Sequence, residues 1–347
     1  MEFPLNIAFV TSTPLDVSHG SGTYVGLETL ARALRETGAS VDCIAPPRRR
    51  APYTAQRLWF NEVMRRRDWS RYDLVVGYDM DGYRLRVPHV AAIKGVIADE
   101  MQFESGATRL LLALQARCEK INAQRASLVI TSSQYSAQRL LELYSLRTLP
   151  TVVPEPIDLA RWAELFGQQH RSRDESKFTV LTVARFYRRK RIDVLLKAAA
   201  QIPELDFRIV GDGPEAPRLR TLAPSNVTML GTVSRSALAA EYTRASAFCL
   251  PSVQEGFGIV LLEAMAAGLP IVAARAAAAP EVVPHAILVE PDSAEALASG
   301  LLALFRNPAR AVEIAEAGRK RVRQYDAPLV AVKFLAAVTG VAVTQLT

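Results

Sequence analysis

Apolar residues follow two alternating patterns along this chain. Short unbroken runs rich in Val, Ile and Leu read as buried strands: Leu5–Ser12, Val41–Ala45, Asp73–Gly77, Val87–Ile93, Ser127–Ser132 and Thr148–Val153. Between them lie stretches in which apolar positions recur every three or four residues, as on one face of a helix. Thr23–Thr37 carries Val25, Leu27, Leu30, Ala31 and Leu34 in this way and stops at Gly38; Glu104–Arg125 and Gln134–Tyr144 follow. The alternation then begins again. Strands are predicted at Phe178–Arg185, Leu205–Val210, Asn226–Leu230, Ser246–Leu250, Leu269–Ala274 and Ile287–Glu290. Helices are predicted at Arg191–Ala200, Ser236–Ala245, Ile259–Ala267, Ser293–Phe305, Pro308–Gln324 and 328–345.

Strand–helix alternation is the pattern of a parallel sheet covered by helices on both faces. Its repetition on either side of the polar stretch Pro154–Lys177 predicts an α/β chain of two Rossmann-like, doubly wound domains, 1–160 and 177–326. The length of 347 residues agrees, because single cores stop growing near ~250–300 residues.

Composition narrows the class. Hydrophobic residues make up 50% of the chain, yet no apolar run reaches the ~20 residues of a membrane helix, and the last helix carries Lys333. The start, MEFPLNIAFVTS, has Glu2 and no basic segment, so it reads as a first strand rather than a signal peptide. Cys43, Cys118 and Cys249 lie apart in apolar contexts, the usage expected of reduced core residues in a cytoplasmic protein. The 4 histidines are scattered and no metal site is expected. A net charge of +7 suits nucleotide phosphates or an anionic membrane face, whereas no nucleic-acid-binding motif appears. Peripheral membrane contact is expected, if anywhere, at the basic loop Pro46–Pro52 and the following segment that sets Trp59 among arginines. A solvated surface helix accounts for the same pattern.

The chemistry concentrates in Pro251–Pro270, PSVQEGFGIVLLEAMAAGLP, which reads as strand end, glycine turn and helix. Gly256 and Gly258 flank Phe257, and the helix starts at Ile259. A glycine turn feeding a helix N-terminus aims unpaired N–H groups at one spot, which suits a phosphate. Glu255 and Glu263 frame that spot; carboxylates accept hydrogen bonds from sugar hydroxyls. An anion nest between two hydroxyl acceptors describes a sugar nucleotide.

This block, from Pro251 to Ala273, resembles the signature of the retaining, nucleotide-sugar-dependent glycosyltransferases of family 4, the glycosyl transferases group 1. The resemblance implies a GT-B fold, with two Rossmann-like domains facing a central cleft and residues 327–347 crossing back to the first domain. It implies transfer of a sugar from a UDP- or GDP-sugar to an acceptor hydroxyl with retention of configuration. The nucleoside diphosphate sugar is then a substrate, and no cofactor is expected. The acceptor would be a glycan, a lipid-linked molecule or a small molecule, at the inner face of the membrane if lipid-linked.

Further residues take roles by the same resemblance. Arg185 and Lys190 match the Arg and Lys that hold the donor diphosphate, although Ala184 and Arg191 stand where relatives have glycine. Gly20 and Gly22 lie in the loop that borders the phosphates, and Val233 in the loop beside the nucleobase. Glu263 is assigned the ribose and Glu255 the donor sugar. Lys94 stands where many relatives have a histidine, and Asp99 follows it as an acceptor-side candidate. Ala277 and Ala278 replace a pair of glycines near the donor sugar. The alternatives are a non-catalytic partner subunit that binds a nucleotide sugar, and a phosphorylase or hydrolase of the same fold.

Overall fold

The computed structural model describes residues 5–13, 22–46, 53–169 and 177–345. The chain divides into two compact units, one made of Met1–Pro156 with Ala327–Thr347 and the other of Ile157–Asp326.

In the first unit the chain runs β1 (Asn6–Val10), α1 (Gly22–Glu36), β2 (Ser40–Ile44), α2 (Tyr53–Arg65), β3 (Leu74–Tyr78), β4 (Val90–Ile93), α3 (Ile97–Glu100), α4 (Gly106–Arg125), β5 (Leu128–Thr131), α5 (Gln134–Tyr144) and β6 (Thr151–Val152). The second unit holds α6 (Leu159–Gly167), β7 (Thr179–Val183), α7 (Ile192–Gln201), β8 (Asp206–Val210), α8 (Ala216–Leu222), β9 (Val227–Gly231), α9 (Arg235–Arg244) and β10 (Ala247–Leu250). It continues with α10 (Ile259–Ala266), β11 (Ile271–Ala274), α11 (Ala279–Val282), β12 (Ile287–Val289), α12 (Ala294–Arg306) and α13 (Pro308–Val322). The last helix, α14 (Ala327–Gln345), belongs to the first unit.

Each unit is built on one parallel sheet, with strand orders β2-β1-β3-β4-β5-β6 and β12-β11-β10-β7-β8-β9. Both sheets are doubly wound, as the strand–helix alternation predicts. The central strands β3, β4, β10 and β11 are buried at every position, which is why their sequences read as continuous apolar runs. In the first unit, Ile7, Phe9, Leu27, Leu34, Leu74 and Val76 form the core together with Val330, Phe334 and Val338 of α14. The Phe334 ring meets Phe9 edge-on with centroids 5.9 Å apart. Among the described residues, no helix is long and apolar enough to cross a membrane.

The element boundaries differ in detail. Strands drawn to include prolines are shorter: Val90–Ile93 excludes Pro88, Thr151–Val152 excludes Pro150 and Ile271–Ala274 excludes Pro270, because proline has no N–H for a ladder. The polar stretch Pro154–Lys177, whose sequence allows a short helix at its centre, forms that helix as α6 in the second unit. There Trp162 is buried and meets Tyr242 edge-on at 5.7 Å, so the division falls at Pro156 rather than at residue 160. The residues after Lys94 form α3 and one 3₁₀ turn, Met101–Phe103.

Candidate functional site

In a doubly wound sheet, ligands bind outside the carboxyl ends of the strands where the strand order reverses. In the second unit the reversal lies between β7 and β10, because the chain moves outward to β8 and β9 before returning to β10. Two loops leave the sheet there. One follows β7 and carries Arg185 and then Lys190, in the 3₁₀ turn Arg188–Lys190. The other follows β10 and carries Glu255 and Gly256 into α10. The Val253 N–H donates to the Arg189 carbonyl at 2.9 Å, tying the loops together. The Lys190 ammonium lies 2.5 Å from the nearer Glu255 oxygen. Arg185 is exposed and makes no ion pair among the described residues.

The turn into α10 depends on Gly258, whose φ of 89° lies in the left-handed region that side chains disfavour. This conformation turns the chain so that the first N–H groups of α10, at Ile259 and Val260, emerge at the same end of the sheet as Arg185 and Lys190. The Phe257 side chain does not face that space. It is 4% exposed and packs edge-on against Tyr325 at 5.4 Å, so at this position only backbone is open to a ligand.

Glu263 lies on α10 at 6% exposure and accepts a hydrogen bond from the Tyr242 hydroxyl at 2.8 Å. Burial pushes its carboxyl up to about 7, against the opposing effects of the Tyr242 hydrogen bond and the charge of Arg235. Tyr242 is itself fixed by Trp162 and by the Phe248 ring, stacked at 5.9 Å. Sequence reasoning passes over Tyr242, because a tyrosine on an unremarkable helix carries no local sign that it orients a carboxylate one helix away.

The glycines of the GDGP turn have a structural reason. A Cβ on Gly213 would lie 2.7 Å from the Phe186 nitrogen, and one on Gly211 only 1.8 Å from the Ala184 oxygen. The turn therefore lies flat on the backbone on either side of Arg185, and the Phe186 N–H donates to the Asp212 carbonyl at 3.0 Å. Gly213→Ala is expected to push this loop away, destabilising the protein by about 1–3 kcal/mol, as overpacking does. Thermal unfolding of the variant beside wild type would check this. Val233 follows β9 at the same end of the sheet, and the neighbouring Gly231 carbonyl accepts from the Gly211 N–H at 2.8 Å. Ala277 keeps the left-handed backbone that a glycine would take there, with φ of 49°, while Ala278 is helical.

The first unit is different at its own reversal point, between β1 and β3. Asp81 fills it. The Ser12 N–H and hydroxyl each donate to Asp81 at 2.6 Å, and Asn61 donates at 2.7 Å. Buried Arg57 lies 3.5 Å from Asp81 and also bonds Ser12 and Gln115. The carboxylate thus sits where a Rossmann unit would take a phosphate.

The acceptor-side candidates Lys94 and Asp99 both have partners within the first unit. Lys94 is 2.7 Å from Glu155, whose side chain is 4% exposed, and its ammonium lies over the Tyr78 ring. Asp99 is buried and receives Tyr135 at 2.7 Å, Arg139 at 2.9 Å and Gln102 at 3.3 Å, pinning α3 to α5. Gly20 and most of the basic loop Pro46–Pro52 lie outside the described residues, and Gly22 is the first residue of α1. On α2, Trp59 is exposed, while Phe60 and Met64 point into the core.

Residues 167–321 match the protein family described as "Glycosyl transferases group 1". The phosphatidyl-myo-inositol mannosyltransferase of Mycobacterium tuberculosis is 36% identical over 151 residues, which are 40% of this chain and 40% of that protein. The chain spans about half the length, or less, of the curated relatives it matches. Among solved structures, the sucrose-phosphate synthase of Thermosynechococcus elongatus superposes with a TM-score of 0.81 at 23% identity, over 98% of this chain and 100% of that one. Anabaena HepE, solved in complex with UDP and glucose, does so with a TM-score of 0.71 at 19% identity, over 96% and 99%. At these identities the likeness is one of fold, and the fold is GT-B.

Proposed function

We propose, from the match of residues 167–321 to the glycosyl transferases group 1, that this protein is a glycosyltransferase using a nucleoside diphosphate sugar. The sugar passes to an acceptor hydroxyl on a glycan, a lipid-linked molecule or a small molecule, with retention of configuration. The observation that carries the reading is the meeting of Arg185, Lys190, Glu255 and the start of α10 at the reversal point of one parallel sheet.

In this reading Arg185, Lys190 and the α10 N–H groups hold the diphosphate. The same cations meet the charge that builds on it as the bond from the sugar's anomeric carbon to the phosphate oxygen breaks. A new bond forms from that carbon to the acceptor oxygen on the same face, and the acceptor's proton passes to the departing phosphate. Glu255 and Glu263 accept hydrogen bonds from the donor sugar and the ribose. Glu255 is not assigned as a nucleophile, because among the described residues no second carboxylate is placed as the paired acid that retaining hydrolases use. The cations and the helix dipole take the part that a metal takes elsewhere, so none is called for.

The test is calorimetry with UDP, GDP and ADP, then with their sugars, followed by an acceptor screen. Micromolar binding of one nucleotide, weakened by Arg185→Ala, together with acceptor-dependent turnover, is the expected result. Absence of binding to all three would move the reading to a non-catalytic partner subunit. A Glu255→Ala protein with undiminished acceptor-dependent turnover would remove Glu255 from the site.

A further inference from the structure

The chain leaves β3 through a tight turn that fixes Asp79 by all but one of its polar atoms. Asp79 has a φ of 51°, in the left-handed region that Asp and Asn tolerate better than most side chains. The Asp81 N–H donates to the Tyr78 carbonyl at 2.8 Å and closes the turn. The Asp79 N–H donates to the Ala92 carbonyl at 2.9 Å, and its carbonyl accepts from the Asn122 side chain at 2.7 Å. Its Oδ1 accepts from the Lys94 N–H, the first amide beyond β4, at 2.9 Å. Oδ2 accepts no hydrogen bond among the described residues, and the residue is partly exposed.

The turn alone does not call for a carboxylate. An asparagine would accept the same Lys94 N–H and adopt the same backbone. The charge is disfavoured by its surroundings. Burial, with Asp81 and Glu100 nearby, raises the Asp79 carboxyl to about 6, against the pull of Arg57 and the Lys94 amide. Buried Glu119 of α4 repels it as well. At neutral pH the fold therefore keeps an ion that it destabilises, with one oxygen fixed and the other unused.

We propose that Asp79 Oδ2 binds a hydroxyl of the acceptor. This rests on the transferase reading above and names a group on the first unit that meets the second substrate. Asp79 directly follows β3 at the carboxyl end of the parallel sheet, beside the reversal point between β1 and β3. A carboxylate accepts hydrogen bonds and donates none, so its partner is a donor such as a hydroxyl, and a phosphate is repelled. Among the described residues, no group of three or more His, Cys, Asp or Glu is placed to hold a metal ion there. Asp79 acts as a binding group. The reacting hydroxyl gives its proton to the departing phosphate, and Oδ2 accepts from a different hydroxyl of the same acceptor.

The experiment uses the full chain, saturated with the nucleotide sugar that calorimetry selects. The acceptors are methyl α-D-glucoside, methyl α-D-mannoside and glycerol. Asp79→Asn keeps Oδ1 and suits the backbone, so the melting temperature should hold or rise and nucleotide affinity should stay within about twofold of wild type. Its acceptor KM should rise about tenfold with kcat changed by less than about threefold, because the lost bond serves ground state and transition state alike. Wild-type acceptor KM should fall as pH rises through about 6, and Asp79→Asn should lose that dependence. A merely structural Asp79 would give neither result. Asp79→Gly also suits the left-handed backbone and serves as a second variant with the same expected KM. A wild type that binds no nucleotide, or transfers to none of the three acceptors, removes the transferase reading and this inference with it. A wild type that does both, while Asp79→Asn keeps its acceptor KM or loses nucleotide affinity to the same extent, overturns this inference alone.

Discussion

Lys190→Gln is expected to weaken nucleoside diphosphate binding roughly 10–100-fold, as loss of a hydrogen bond to a charged group does. Acceptor-dependent turnover should fall by about 10²–10³, because in the proposed reaction the same ammonium meets the charge that develops on the leaving phosphate. In the unliganded protein Lys190 is occupied: it sits 2.5 Å from Glu255, with the two side chains 13% and 11% exposed. The substitution therefore also strands a largely buried carboxylate, at a cost of about 1–3 kcal/mol in stability. Companion variants separate these effects. Glu255→Gln releases Lys190 to the phosphates, so nucleotide binding should hold or tighten a few-fold while turnover falls. The double variant Lys190→Gln/Glu255→Gln should regain much of the lost stability and none of the binding. Calorimetric affinities and urea unfolding of all three proteins are the measurements. Unchanged nucleotide affinity in Lys190→Gln would show that the ion pair is structural only.

Glu263→Gln should make the empty protein more stable above neutral pH and a poorer nucleotide binder. Burial raises the Glu263 carboxyl from its ordinary 4.5 to about 7, although the Tyr242 hydroxyl donates to it. A group whose folded value is raised binds a proton on folding. Its contribution is fully present below the unfolded value and is lost as pH rises through the folded one. The stability gap between Glu263→Gln and wild type should therefore be near zero at pH 4.5, grow between pH 4.5 and 7, and level off above. The plateau is about 3 kcal/mol at most, by linkage. Nucleotide binding should run the other way. In the proposed site an ionised Glu263 accepts the ribose hydroxyls, so wild-type affinity should rise with pH up to about 7, and the glutamine variant should lose that dependence. Chemical denaturation and calorimetry at pH 5, 6, 7 and 8 give both curves, and a gap that does not change with pH would show that Glu263 is ionised throughout.

Much of the fold was legible because buried parallel strands and amphipathic helices leave different periods in the sequence. Continuous runs such as Leu74–Tyr78 and Ala247–Leu250 are buried on both faces, and Gly38 and Gly268 stop helices through left-handed backbone. The site residues were legible where loop and side chain come together. Glu255, Gly258 and α10 occupy one short segment, so local spacing already placed the carboxylate beside the turn.

Whatever depends on a partner distant in the chain was decided by the tertiary structure. No spacing rule joins Lys190 to Glu255, 65 residues apart, or Lys94 to Glu155. Asp99 stood out in the sequence by following Lys94, and only the fold shows that α5 brings Tyr135 and Arg139 onto it. Phe257 looked like part of the binding turn until Tyr325 claimed its ring. The two halves of α4 carry one apolar pattern, and only packing distinguishes the half that meets the core from the half that meets solvent. Periodicity reports how a segment divides its polar and apolar faces. It carries no information on which neighbour, if any, covers them, and that is settled by contacts made across the sheet.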